Sequence, residues 1–342
     1  LYEEYWLIIE KTLRNKMDYS NLDDFFMQYI VYKTGKPVNS RQLYHSFVKL
    51  FKGSDYTQEA ILDELRYYAK IYGAFVYGNK DYSVRINQLL QRIRILKQTT
   101  CYPFLFHVFN DFHHEVIDEE TTERILQFIL AYLLRRLVCG VPSNTLRGLF
   151  IYLYNRIFKV TANKRKYYES LNKFLCTVSS KDAVPSENEF ERALLTANIY
   201  GNNALCRFLL LDIENGDNKE TLQVENLTIE HIMPQTCTDK ELYGMDEEEF
   251  AVYINRLGNL TLLENTINRS IQNDVYANKA TYYKQSKFYI TSSISELVNL
   301  GQDTAINRTN SLLSSWSDWN KQAIEERQEM FYRLSEMIWE LR

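Results

Sequence analysis

An acid and a histidine stand side by side at Glu230-His231, in the stretch IEHIMPQ (229–235). The chain holds only five histidines. One that comes after an apolar, β-branched run and precedes Pro234 is either the end of an ordinary strand or half of a metal site. The residues downstream decide between the two. Asn259 opens a second strand-like run, NLTLLE, and Asn268 stands near the start of a polar helical segment, NRSIQND. A strict strand points Glu230 and His231 to opposite faces. Both serve one site only if the strand ends or bends there, and Pro234 favours an ending. His113-His114 is a weaker pair, because adjacent histidines diverge on a helix and no third ligand is evident. The cysteines, Cys101, Cys139, Cys176, Cys206 and Cys237, form no CxxC pair. They read as reduced thiols and exclude a cysteine-built zinc site.

The elements that must position these residues are mostly helices. With 342 residues, 45% hydrophobic and 25% charged, the chain can bury a sizeable core, and its length suggests two domains. Eleven glycines and five prolines are few breakers, which favours helices over a sandwich or barrel. Residues 1–215 read as helix after helix. TTERILQFILAYLLRRLVCG runs to Gly140, VPSNTLRGLFIYLYNRI restarts after Pro142, and Ser186 with Glu189 offers a capping box. The polar stretch SSKDAVPSENE marks a boundary, giving a helical domain over 1–188 and a second domain over 189–342. The second reads strand, acidic insertion, strand, helix. It closes on a long helix with Trp319, Ala323, Met330, Leu334, Ile338 and Leu341 on one stripe. No apolar run is long enough to span a bilayer and no signal peptide is visible, so a cytoplasmic protein is expected. A net charge of −4 gives no basic field over the whole chain. Basic side chains cluster instead at Arg92, Arg94 and Lys97, and at Lys164, Arg165 and Lys166 beside tyrosines; either run is a solvated face or tracks a nucleic-acid backbone. Arg135-Arg136 suits a helix C-terminus.

Strand, strand and helix carrying His, Asn and Asn in that order resemble the His-Asn-His nucleases, whose ββα-metal unit grips one divalent cation. The longer pattern is more specific. EHIMPQ, then RLGNLTLLE, then NRSIQND and ANK, with WNKQAIEER (319–327) in the closing helix, resembles the C-terminal part of the GmrSD-type modification-dependent restriction endonucleases. YLLRRLVCGVPSNTLRGLF and NALCRFLLLDIE resemble segments that precede the nuclease in that family. The resemblance implies a mainly α fold: a multi-helical domain, then a helical domain containing a small ββα-metal (HNH) nuclease unit.

The residue types fit phosphodiester hydrolysis. A neutral imidazole takes a proton from water near pH 7. A metal on the scissile phosphate stabilises developing charge. Mg²⁺ is content with one carboxylate and one amide carbonyl. Carried over residue by residue, the resemblance makes His231 the general base and Glu230 and Asn268 ligands of Mg²⁺ or Mn²⁺. Asn265 and Asn273 rival Asn268. Asn259 orients the His231 strand, and Lys279 contacts phosphate or braces the site. Arg269, Arg327 and the Lys164–Lys166 cluster are the expected nucleic-acid contacts. The implied substrate is DNA, base-modified phage DNA among it, nicked within a prokaryotic anti-phage restriction system; a double-strand break would need a homodimer or repeated events. The chain opens on Leu1 and has no Asp-Gly-Gln-Gln-Arg type motif, so a separate N-terminal nucleotide-binding domain of the same protein is expected as partner. RNA as substrate, or a catalytically silent helical regulatory module, is the alternative.

Overall fold

The computed structural model describes residues 2–14, 20–53, 55–178, 181–216, 227–237, 240–271, 273–295 and 315–341. Two compact units emerge: Leu1–Leu133 with Pro142–Val184, and Leu134–Val141 with Pro185–Arg342. The chain is mainly helical, and among the described residues its sheet has two strands.

The first unit contains α1 (Leu7–Leu13), α2 (Ser20–Thr34), α3 (Leu43–Phe51), α4 (Gln58–Tyr77), α5 (Val84–Ile95), α6 (Tyr102–His113), the start of α7 (Glu119–Val138), α8 (Asn144–Phe158), α9 (Thr161–Lys164) and α10 (Tyr167–Thr177). Local chemistry sets their ends. Thr57 Oγ1 caps α4 by accepting from the Ala60 N–H at 3.2 Å, and Ser83 Oγ does the same for α5 through Ile86. Helix α4 stops at Gly78, whose φ of 83° suits glycine. Arg94 donates to the carbonyls of Phe75 and Val76 at that end, so its charge serves the helix terminus rather than a phosphate. The core is aromatic: Phe75, Phe104, Phe106 and Phe109 are fully buried. Phe75 and Phe109 lie edge to face at 5.3 Å. One carboxylate is buried among them. Asp111 accepts from the hydroxyls of Tyr154 at 2.7 Å and Tyr167 at 3.0 Å, and from Lys164 Nζ at 3.0 Å. A buried charge needs such partners, and Lys164 is thereby committed to the fold. Arg165 and Lys166 remain exposed.

The second unit runs α11 (Glu187–Thr196), α12 (Asn203–Asn215), β1 (Leu227–His231), α13 (Glu247–Tyr253), β2 (Leu260–Glu264), α14 (Asn265–Ile271), α15 (Tyr276–Tyr283), α16 (Tyr289–Ser292) and α17 (Lys321–Ile338). The capping box at Ser186 and Glu189 is formed. The acidic run at 246–249 has a job of its own: Asp246 and Glu249 make a second capping box at the start of α13, and Glu249 pairs with Lys321 at 2.6 Å. Strands β1 and β2 pair antiparallel, Glu230 opposite Thr261 and His231 opposite Leu260. Asn320 caps α17 through the Ala323 N–H. Helix α17 then buries Ala323, Ile324, Arg327, Gln328, Met330, Phe331, Leu334 and Ile338. It comes so close to the turn before β2 that a Cβ on Gly258 would lie 2.4 Å from the Ile324 carbonyl oxygen. Gln328 Oε1 takes the Gly258 N–H, and Arg327 NH1 takes the Gly258 and Leu260 carbonyls at 2.8 and 2.7 Å.

Candidate active site around Glu230 and His231

His231 is the last residue of β1, and the chain bends after it through Ile232 and Met233. Asn259 holds that bend. Its Oδ1 accepts from the Met233 N–H at 2.8 Å and from Trp319 Nε1 at 2.9 Å, while its Nδ2 donates to the carbonyls of Ile254 and Met233. The Asn259 carbonyl accepts from the Ile232 N–H at 2.9 Å. Fully buried, the side chain uses both donors and its acceptor. It ties the segment after His231 to the entrance of β2.

The two neighbours at the end of β1 face opposite ways. Because the pairing stays regular through His231, alternation places Glu230 on the face of Thr261 and His231 on the other. On the first face, Glu230 Oε1 accepts from Lys279 Nζ at 2.6 Å and from the Tyr283 hydroxyl at 3.1 Å. Lys279, 1% exposed, also donates to the His231 carbonyl at 2.7 Å. Burial pushes the Glu230 carboxyl up, against the pull of the Lys279 ammonium. On the other face, His231 Nε2 meets Asn255 Oδ1 at 3.1 Å, and Tyr200 stands edge-on to the imidazole at 4.4 Å. With the amide oxygen toward it, Nε2 carries the proton and Nδ1 keeps its lone pair. Burial, and to a smaller degree the Lys279 charge, push the imidazole below its ordinary value, while the Asn255 hydrogen bond pulls it back. The ring is therefore neutral at pH 7, the state a general base needs.

The other expected site residues scatter. Asn268 lies midway along α14 and donates Nδ2 to Thr228 Oγ1 at 2.8 Å. Its rival Asn273 donates to the carbonyl and hydroxyl of Thr236. Beside that loop an open cleft of about 710 Å³ is lined by Gln235, Lys240, Glu247, Asn273 and Asp274 among others. Arg269 is exposed on α14. Arg327 is a correction. It is 1% exposed, and its guanidinium donates to the carbonyls of Gly258, Leu260 and Ile290 and to Thr261 Oγ1. It presents no donor to a phosphate; it braces the turn and β2. His113 Nδ1 and Nε2 meet the hydroxyls of Tyr67 and Tyr82, while His114 Nδ1 turns to the Asn110 carbonyl, so that pair converges on nothing. Arg135 pairs with Glu187 at 2.7 Å and lies over Phe190.

Mg²⁺ or Mn²⁺ held by one carboxylate and one amide carbonyl needs both oxygens open to it. In this arrangement the expected pair does not provide them. Glu230 Oε1 is held by an ammonium and a phenol, and Asn268 is tied to Thr228. Among the described residues no group of three or more His, Cys, Asp or Glu side chains is placed to hold an ion. Asn255, Tyr200 and Tyr283 are the members of the site that residue types alone did not point out. None of the three carried a local signal in the sequence.

A bent strand end with a buried histidine, a paired second strand and a helix directly after it is the arrangement on which the family comparison falls. Residues 184–334 match the GmrSD restriction endonucleases, C-terminal domain. The GmrSD match takes in β1, β2, α14, α15 and most of α17, with NALCRFLLLDIE inside it and YLLRRLVCGVPSNTLRGLF before it. That segment is similar to a family of restriction endonucleases. No curated protein matches the chain. Among the described residues no helix is long and apolar enough to cross a membrane.

Proposed function

We propose that this chain is a DNA-nicking endonuclease module of the HNH type in a prokaryotic anti-phage restriction system acting on modified DNA. His231 is its general base. The observation that carries this reading is the His231–Asn255 contact within the GmrSD segment. A neutral imidazole, fixed through Nε2, keeps Nδ1 open to take a proton from water. The water oxygen bonds to phosphorus, the bond to the 3′ oxygen breaks, and solvent protonates that oxygen. The products are a 5′-phosphate and a 3′-hydroxyl. Dependence on Mg²⁺ or Mn²⁺, with Glu230 and Asn268 as ligands once Glu230 leaves Lys279, belongs to the proposal. Arg165, Lys166 and Arg269, all exposed, are the DNA contacts it retains.

The Glu230–Lys279 pair favours the competing reading, a catalytically silent module, because it occupies the carboxylate. Nicking of supercoiled plasmid with Mg²⁺ or Mn²⁺, against EDTA and His231→Ala controls, separates the two. Loss of a general base costs about 10²–10⁴-fold. Nicking at the wild-type rate by His231→Ala refutes the assignment.

A further inference from the structure

The first unit carries a cavity that the nuclease reading does not use. It holds about 550 Å³ and is walled by Trp6, just before α1, and by helices α2, α3 and α4. Small-molecule sites are commonly of that size, mostly apolar, with a few polar groups. Four aromatic side chains stand in the wall: Trp6, Phe26, Tyr44 and Phe47. Trp6 and Phe26 stack at 6.2 Å, and Phe47 meets Phe26 edge-on at 5.3 Å. The other apolar lining is leucine and isoleucine from α3 and α4. Packing on this side is incomplete. Helix α3 carries Leu43, Phe47, Val48 and Leu50, yet none of its residues is buried. A helix in a protein draws most of its stability from a packed apolar face, and Leu43 and Phe47 line the cavity only half-buried.

The polar lining selects what enters. Asp23 and Gln58 are both exposed, and neither side chain has a partner among the described residues. No lysine or arginine belongs to the described lining. A phosphate or carboxylate would therefore meet a like charge and no counter-charge. A cation meets a carboxylate and aromatic faces, and both attract it. We propose that this cavity binds an organic cation with an apolar body, its charge met by Asp23 and the aromatic rings and its body lying against α3 and α4. Occupancy completes the apolar face of α3 and steadies that helix. The site lies in the first unit and stands whether or not His231 cuts DNA.

The test titrates the full chain by calorimetry with (3-hydroxyphenyl)trimethylammonium and with 3-tert-butylphenol, a neutral molecule of nearly the same shape. The ammonium should bind roughly fivefold tighter or more. Asp23→Asn, a change at an exposed side chain, should erase most of that preference and leave the affinity for the phenol unchanged. Hydrogen exchange read by mass spectrometry locates the ligand: saturating ammonium should slow exchange across α3 in the wild-type chain. Equal affinity for the two molecules overturns the cation assignment and leaves a neutral apolar site. A preference that survives Asp23→Asn removes the carboxylate from it. Binding of neither molecule, or binding without protection of α3, overturns the site. Protection of α3 in the free chain that is lost on dilution overturns it in favour of a second copy seated on the cavity.

Discussion

Asn255 should set both the efficiency and the acid limit of the reaction. Its Oδ1 is the described hydrogen-bond partner of the His231 imidazole, at 3.1 Å, and the contact favours the protonated ring. Deleting it in Asn255→Ala removes one hydrogen bond of about 0.5–1.5 kcal/mol, so nicking should fall by roughly 2- to 10-fold, far less than for His231→Ala. The sign of the pH effect is equally defined. Without the hydrogen bond, burial and the Lys279 charge act alone, the imidazole value falls further, and the acid limb of the profile moves down. In Asn255→Asp a carboxylate faces Nε2–H, and an opposite charge at that distance raises a titrating group by about 1–3 pH units. The acid limb should then move up, toward neutral pH, and cost activity there. NMR titration of the imidazole, tractable with five histidines, reads the same shifts without activity. If His231 titrates alike in all three proteins, Asn255 does not govern the base and the orientation argument fails.

Three further outcomes are expected from the same structure. Glu214 accepts the Tyr289 and Ile290 N–H groups, and burial pushes it from 4.5 up to about 7. A carboxyl raised on folding stabilises below its unfolded value and loses that contribution as pH rises through about 7, here about 3 kcal/mol at about 1.4 kcal/mol per pH unit. Glu214→Gln should flatten the denaturant stability curve between pH 4.5 and 7, and an unchanged slope rejects the assignment. Gly258→Ala should destabilise the second unit by about 1–3 kcal/mol, because its Cβ meets the Ile324 carbonyl at 2.4 Å; urea unfolding at wild-type stability would show that α17 yields instead. Arg165→Ala with Lys166→Ala should shallow the log–log salt dependence of DNA binding by about 2, near 0.9 per phosphate contact, whereas Arg327→Met should leave that slope unchanged while lowering stability.

What could be read from the residues alone was what short-range rules govern. The Ser186–Glu189 box, the order of strand, strand and helix, and the opposite facing of Glu230 and His231 all arise from spacings of one to three residues. The partners of the site do not. Asn255 and Tyr283 reach it from 24 and 53 residues away, and no local pattern marks them. Arg327 was legible but misassigned. It lies four residues after Ala323 and three before Met330, on the stripe that periodicity buries, and a guanidinium on such a stripe must find acceptors inside. Lys279 was open between phosphate contact and brace; its distances to Glu230 and the His231 carbonyl describe a brace.

The hairpin that bears His231 has no tight turn. Residues 232–259 separate its strands, and α13 lies among them. Relative to a two-residue connection, closing about thirty residues costs about 2 kcal/mol more in chain entropy. The register of His231 against Leu260 is held by Asn259 at the two ends of this connection and braced by Trp319 and α17. The pairing that seats His231 is therefore long-range, and its loop-closure entropy is recovered only through contacts made across the second unit. A partly unfolded chain carries every residue of the site and none of its geometry.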